Sequence, residues 1–287
     1  MTTRPHMTTL LASAARILAI IALVYVVILL LYTLFQRNLI YYPQTASETS
    51  LVAQAKANGL EPWRNSSGDL IGWIGRSEFD TAQPTRRILV FHGNAGNAVV
   101  RDYFVSLFNQ GEFNWQVYLL EYPGYGARSG RPSEKAFVTA ALEGFDLLQT
   151  DNEGPIFLLG ESLGSGIATQ LAAQRSDHVT GLLLITPFTR LADVGRHHFP
   201  WLPINTLLRD RYDSKAALHH YHGPVAIVTA EHDTIVPAKF GRELYEHYAG
   251  PKIYIQLEGR GHNNIGYHPR DPIWSEVVHF LVGKQEG

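Results

Sequence analysis

The sequence predicts an α/β domain with a mostly parallel central sheet and helices on both faces, carried behind an N-terminal transmembrane helix. Three observations predict it. Short β-branched and apolar runs recur along the chain with amphipathic stretches between them, in the order β-α-β-α. These runs are hydrophobic throughout rather than alternating, as parallel strands are when helices cover both faces of the sheet. Near the amino terminus, residues 17–35 (ILAIIALVYVVILLLYTLF) carry no charge over 19 positions.

Composition narrows the class further. The 287 residues are 45% hydrophobic and 17% charged, with 25 Gly and 15 Pro spread along the chain, which excludes a disordered, collagen-like or coiled-coil protein. With 24 Lys+Arg against 26 Asp+Glu the formal charge is −2, and no basic stripe with interleaved aromatics is present, so nucleic acid is not an expected partner. The absence of Cys excludes disulfides, thiolate metal sites and a cysteine nucleophile.

The apolar run of 17–35 would span roughly 28 Å as a helix, close to the thickness of a hydrocarbon core. A cleaved signal peptide would have a shorter apolar region of about 7–15 residues followed by small residues. Here Tyr32, Phe35, Gln36 and Arg37 occupy that place instead, so a retained single-span membrane anchor is expected. Arg4, Arg16 and the amino terminus precede the span and Arg37 follows it. That balance orients the amino terminus inside and the large C-terminal domain on the periplasmic, lumenal or extracellular side. The expected divisions are a flank at 1–16, the anchor at 17–35, a linker at 36–57 and one domain at 58–287, since no repeat or low-complexity tract interrupts the remainder.

Within that domain the candidate strands are 87–91 (RILVF), 116–120 (QVYLL), 156–159 (IFLL), 182–185 (LLLI), 225–229 (VAIVT) and 253–257 (IYIQL). Helical spacing marks 136–149, 164–173, 239–248 and 272–282, with Ser133 and Glu134 as a start signal for the first. The stretch 63–74 reads as an edge hairpin. Residues 186–221 break the rhythm with Pro187, Pro200, Pro203 and bulky Phe188, Phe199, Trp201, Leu202, Leu207 and Leu208. This is too long for an ordinary connection. Lying after a strand end, 187–221 is either a candidate lid or simple packing against the sheet.

The strongest chemical signal is Gly160-Glu161-Ser162-Leu163-Gly164, between a strand-like run and a helix-permissive one. This is G-x-S-x-G in its strand–turn–helix setting. The turn is so tight that side chains at 160 and 164 would clash, while Ser162 takes backbone angles that expose its hydroxyl. A serine hydroxyl is a weak nucleophile at neutral pH, so a His must accept its proton and an acid must orient that His. Of the 13 His, His262 lies in the Gly-rich loop after the last predicted strand, where a side chain can reach the carboxyl-terminal rim of the sheet. Asp233 follows the run 225–229 in the same way, with Glu231 as the runner-up acid and Asp210 and Asp213 on the insertion. His197-His198 and His219-His220 lack the carboxylates or thiolates that would complete a metal site. An oxyanion needs aimed donors. The backbone N–H of Leu163 supplies one, and that of Asn94, in the turn His92-Gly93-Asn94-Ala95-Gly96-Asn97 after a strand, can supply another. Neither that turn nor Tyr122-Pro123-Gly124-Tyr125-Gly126 continues into Gly-Lys-Ser/Thr, which disfavours a nucleotide site.

Taken together in order, FHGNAGN (91–97), YPGYGARSG (122–130), GESLGSG (160–166), HDTIVP (232–237) and GHNN (261–264) resemble the α/β-hydrolases, and among them the membrane-anchored Bem46-like and ABHD13/ABHD17-like branch. The resemblance covers roughly 40–280. It implies a serine hydrolase with an eight-strand-type sheet, a Ser162–Asp233–His262 triad, Asn94 and Leu163 at the oxyanion hole, and an N-terminal anchor. Where depalmitoylating relatives carry a lipidated Cys-rich segment, this chain has no Cys and an apolar helix.

The expected function is a membrane-anchored serine hydrolase that cleaves carboxylic esters or thioesters through an acyl-enzyme, with no metal or organic cofactor. A small-molecule, lipid or acylated substrate suits the tether and the apolar insertion. The same triad also serves amide-cleaving peptidases, and a hydrolase fold can persist as a membrane-tethered binding module, so both alternatives stay open.

Overall fold

The computed structural model describes residues 5–76, 85–109, 113–150 and 154–283, with side chains from residue 9 onward. Arg4, used above for orientation, lies outside the described residues. In chain order the elements are α1 (Pro5–Ile40), β1 (Tyr42–Pro43), α2 (Glu48–Ala57), β2 (Leu60–Arg64), β3 (Leu70–Arg76), β4 (Arg86–Phe91), β5 (Ala95–Gly96), α3 (Tyr103–Asn109), β6 (Trp115–Leu120), α4 (Glu134–Thr150) and β7 (Ile156–Glu161). They continue with α5 (Leu163–Gln174), β8 (Val179–Ile185), α6 (Leu191–His198), α7 (Ile204–Leu207), α8 (Ser214–Leu218), β9 (Val225–Ala230), α9 (Ala238–His247), β10 (Lys252–Leu257) and α10 (Pro272–Val282).

Eight strands form one sheet in the order β10-β9-β8-β7-β4-β6-β3-β2. All six strands expected from the apolar runs are present and run parallel to one another. The antiparallel hairpin β2–β3 closes one edge, pairing through β3 with β6. Its turn is built by Asn65, whose Oδ1 accepts the N–H groups of Ser67 and Asp69.

The continuous hydrophobicity of the strands follows from having two buried faces. In β4, Leu89 and Phe91 join one core while Ile88 and Val90 join the other. In β7, Ile156 and Leu158 face the first, Phe157 and Leu159 the second. Helices α4, α5 and α9 cover the first face through Phe137, Ile167 and Phe240. Helices α2, α3 and α10 cover the second through Leu51, Phe104 and Trp274.

From β4 the chain runs to β6 on one side and then returns to β7 on the other, so strand order reverses at β4. Their carboxyl ends lie side by side, with Phe91 opposite Gly160 in register. The loops leaving β4 and β7 therefore open on one crevice, where α/β sheets place ligands.

Helix α1 is longer than the expected span. Its 36 residues extend about 54 Å at 1.5 Å per residue, against roughly 30 Å of hydrocarbon. The first residues of the expected linker, Gln36 to Ile40, are its last helical turn, and the linker also contains α2, capped by Ser47 Oγ accepting from Ser50 N–H. The sequence reading missed α2 because only Leu51 and Ala55 of its length are buried, too few to set a period. It missed α3 because the helix has only seven residues, Tyr103–Asn109, too short a run to establish a period.

The insertion between β8 and β9 carries α6, α7 and α8. Its distal part packs on the core through Tyr212 and Leu218. Its proximal part forms a separate apolar cluster of Ala192, Leu202, Ile204 and Leu208 with Leu29, Tyr32 and Ile40 of α1. Polar contacts lock this junction. Gln36, only 1% exposed, donates to the Leu207 carbonyl at 3.1 Å and accepts from Arg209 N–H at 2.8 Å. Arg37 pairs with both oxygens of Asp210 at 2.8 and 3.0 Å, and Tyr41 donates to the same carboxylate at 3.0 Å.

Candidate active site

The turn from β7 into α5 holds Ser162 at φ 52° and ψ −116°, a conformation that a non-glycine residue adopts only under constraint. The flanking glycines are sterically required. A Cβ on Gly160 would lie 2.6 Å from the Gly164 carbonyl oxygen, and one on Gly164 would overlap the Phe91 carbonyl. Ser162 N–H donates to the Ile185 carbonyl at 2.8 Å, tying the strained residue to β8.

His262, on the loop after β10, lies with Nε2 3.0 Å from Ser162 Oγ. Its Nδ1 is 2.7 Å from Asp233 Oδ2. A carboxylate only accepts, so Nδ1 carries the ring proton and Nε2 is left to accept from the serine hydroxyl. Asp233 has a fully buried side chain, and its other oxygen accepts from Ile235 N–H at 2.9 Å and Val236 N–H at 2.7 Å. The three residues that the motif order singled out thus form one hydrogen-bonded line.

The competing acids are elsewhere. Glu231 accepts from Gly259 N–H at 2.8 Å. Asp210 is engaged by Arg37 and Tyr41, and Asp213 caps α8 by accepting from Ala216 N–H at 2.9 Å. His197 contacts Lys239, and His219 contacts His247. Among the described residues no cluster of three His, Asp or Glu side chains is arranged to hold a metal ion.

Asn94 and Leu163 both border the cavity that exposes Ser162. The peptide linking Gly93 and Asn94 is held from its carbonyl side, where His92 Nδ1 donates to the Gly93 oxygen at 2.8 Å. In a trans peptide the N–H points opposite to the carbonyl, so this bond sets the direction of the Asn94 N–H. The next carbonyl, of Asn94, accepts from Tyr42 N–H at 2.9 Å and Tyr125 OH at 2.6 Å, while the Asn94 side chain donates to the Ile40 carbonyl at 2.7 Å. β1 pairs with β5 in the same place. The exit of α1 is therefore built into the turn that carries Asn94. The Tyr122-Pro123-Gly124-Tyr125-Gly126 segment, the start of the YPGYGARSG motif, supplies two of the clamps. Its Tyr122 OH donates to the His92 carbonyl at 2.7 Å.

Two cavities of different character meet at Ser162. One, of about 720 Å³, is apolar and lies between α1 and the insertion, with Tyr32, Phe35, Phe188, Phe199, Leu202 and Leu208 among its walls. The other, of about 320 Å³, is the more polar of the two and includes Arg101, Tyr103, Glu161, His262, Asn263 and Tyr267. A further cavity of about 760 Å³ beside Asn65, Arg128 and Glu143 touches none of the three aligned residues. Glu161, the residue before the serine in the pentapeptide, organises the more polar side. It accepts from Tyr267 OH at 2.6 Å, from Tyr103 OH at 3.4 Å and from Gly93 N–H at 3.4 Å. Burial first, and then the Glu161 carboxylate, push the Tyr103 and Tyr267 hydroxyls above the usual phenol range, so both stay protonated donors. Burial alone would lower the Arg101 guanidinium, yet Glu161 and Tyr103 raise it on balance. Sequence reasoning named none of Arg101, Tyr103 or Tyr267; the only available signal was an acid beside the candidate nucleophile.

Comparison with known proteins agrees with this architecture. The family model described as alpha/beta hydrolase fold matches residues 86–211. The uncharacterised protein Rv2307c of Mycobacterium tuberculosis is 35% identical over 256 residues, covering 88% of this chain and 89% of that one. The lysophosphatidylserine lipase ABHD12 of Macaca fascicularis is 26% identical over 249 residues, 78% of this chain and 62% of that protein. Among solved structures, Est1E from Butyrivibrio proteoclasticus superposes with a TM-score of 0.63 at 15% identity, over 80% of this chain and 100% of that one, a likeness of fold.

Proposed function

Because the chain belongs to the α/β-hydrolase superfamily, we propose that it is a membrane-anchored serine hydrolase cleaving carboxylic esters or thioesters of acylated lipids through an acyl-enzyme. The observation that carries this reading is the Ser162–His262–Asp233 line, with contacts of 3.0 and 2.7 Å, standing where an apolar and a polar cavity meet.

Ser162 Oγ attacks the acyl carbonyl carbon as its proton passes to His262 Nε2. The buried Asp233 carboxylate keeps the ring oriented and stabilises the imidazolium. The N–H groups of Leu163 and Asn94 receive the oxyanion, an interaction worth about 10²–10³ in rate per donor. Collapse of the tetrahedral intermediate breaks the bond to the leaving oxygen or sulfur, which takes the proton from His262. Water then attacks the acyl-enzyme with His262 as base, releasing the carboxylic acid and restoring the Ser162 hydroxyl.

The apolar cavity suits an acyl chain, and the polar one a hydrophilic leaving group. The name of the ABHD12 relative, a lysophosphatidylserine lipase, supports an acylated lipid with a polar head as the substrate class. Labelling with a fluorophosphonate tests the nucleophile. Wild type labels and Ser162→Ala does not; a folded wild type that resists the probe removes the acyl-enzyme reading and leaves a binding module. Hydrolysis of p-nitrophenyl acyl esters against aminoacyl amides tests the bond cleaved, and activity on amides alone would make the protein a peptidase. The orientation with the amino terminus inside predicts that protease added to intact spheroplasts digests the domain, whereas full protection reverses the topology.

A further inference from the structure

Helix α1, long and apolar enough to cross a bilayer, also walls a cavity in this structure. Six of its residues, Ile28, Leu31, Tyr32, Phe35, Leu39 and Ile40, border the apolar cavity that reaches Ser162. Their spacing of three and four residues places them along one helical face. From Ile28 to Ile40 that face runs about 18 Å. Both ends are pinned. At the near end the Ile40 carbonyl accepts from Asn94 beside the nucleophile at 2.7 Å, and at the far end Tyr25 OH donates to the Trp201 carbonyl of the insertion at 2.9 Å. The opposite wall is the insertion itself, with Phe188, Leu191 and Leu202, and exposed Phe199 and Trp201 stand on its rim.

We propose that α1 is the measuring wall of the acyl site: the acyl chain of the substrate lies along the 28–40 face with its carbonyl at Ser162, and the residues on that face set which chain lengths are accepted. The proposal rests on the hydrolase reading above and names the part of the protein that selects the substrate of that site. An acyl chain is the occupant for three reasons. The cavity is apolar on both walls and ends at the nucleophile. Its volume of about 720 Å³ falls within the range of small-molecule sites, roughly 300–1,000 Å³. Ile28, Leu31, Tyr32 and Phe35 also belong to the stretch 17–35 that is long and apolar enough to sit in hydrocarbon. A chain lying along this wall keeps its methylenes away from water from the bilayer to Ser162. The anchor thus joins substrate source and active site by being part of both.

Position along the face then corresponds to depth along the chain. Phe35 lies nearer the carbonyl, and Ile28 nearer the methyl end. The experiment uses full-length protein in detergent micelles with p-nitrophenyl acetate, octanoate and palmitate, and every variant is first labelled with a fluorophosphonate to count folded, active sites. Ile28→Trp is expected to lower the palmitate-to-octanoate ratio of kcat/KM at least tenfold. Phe35→Trp is expected to lower the octanoate-to-acetate ratio by a similar factor. Leu30→Trp, on the opposite face at 56% exposure, is the control and is expected to keep both ratios within twofold of wild type. Unchanged ratios in Ile28→Trp and Phe35→Trp, or the same change in Leu30→Trp, overturn the measuring wall while leaving a working hydrolase. If wild type neither labels nor cleaves any of the esters, the hydrolase reading itself falls, and the wall with it.

Discussion

The two sides of Ser162 are built from different parts of the chain. The polar side is made by loops at the carboxyl ends of the sheet strands, with Glu161 held by Tyr103 and Tyr267 within the α/β core architecture. The apolar side is made by parts added to that architecture, the N-terminal helix and the insertion between β8 and β9. The difference teaches that the sheet and its loops bring Ser162, His262 and Asp233 together and line one of the two cavities. The other cavity lies between α1 and the insertion, which Gln36, Arg37 and Tyr41 hold together.

Substitutions can break what the two sides share or separate them. The largest effect belongs to the proposed nucleophile: Ser162→Ala is expected to reduce kcat by about 10⁶, measured on p-nitrophenyl octanoate. Asp233→Asn keeps the shape but favours the wrong ring tautomer of His262, and a loss of about 10⁴ in kcat is expected in the same assay. Both changes affect every substrate equally, whatever its acyl chain or leaving group. A loss confined to one class would mean that the two cavities do not converge on one nucleophile.

Smaller changes act on one side. Gln36→Leu leaves the Leu207 carbonyl and the Arg209 N–H without their buried partner. About 1–3 kcal/mol of stability is expected to be lost, read as a lowered Tm in detergent, with loss of long-chain preference before loss of activity on acetate. Tyr267→Phe removes one donor from Glu161. At about 1 kcal/mol for a hydrogen bond, KM for esters of hydrophilic alcohols is expected to rise roughly fivefold, with the acyl-length profile unchanged. A shift in acyl preference in Tyr267→Phe would show that the polar and apolar sides are not independent.

Much of the site was legible because its constraints are local. Gly160 and Gly164 are forced by the steric closeness of the turn they flank, so a five-residue window reveals them. Asp233 and His262 follow strands whose apolar runs are themselves visible, and that position directs both side chains to the same rim. The choice between Asp233 and Glu231, two residues apart, needed the structure, since only Asp233 faces the His262 ring. Helices α2 and α3 escaped because one has too few buried positions, and the other too few residues, to set a period.

By itself, then, the sequence determined the parallel sheet, the apolar helix at the amino terminus and the order of the three aligned residues. Each is written in steric fit or hydrophobic spacing within a short window. Tertiary structure alone decided that the Asn94 turn is clamped by Ile40, Tyr42 and Tyr125, that Arg101, Tyr103 and Tyr267 gather around the second cavity, and that α1 walls the first. Gln36 finds its partners 171 and 173 residues away. No window of the chain contains such a contact, because it arises only when the sheet has brought distant segments to one edge.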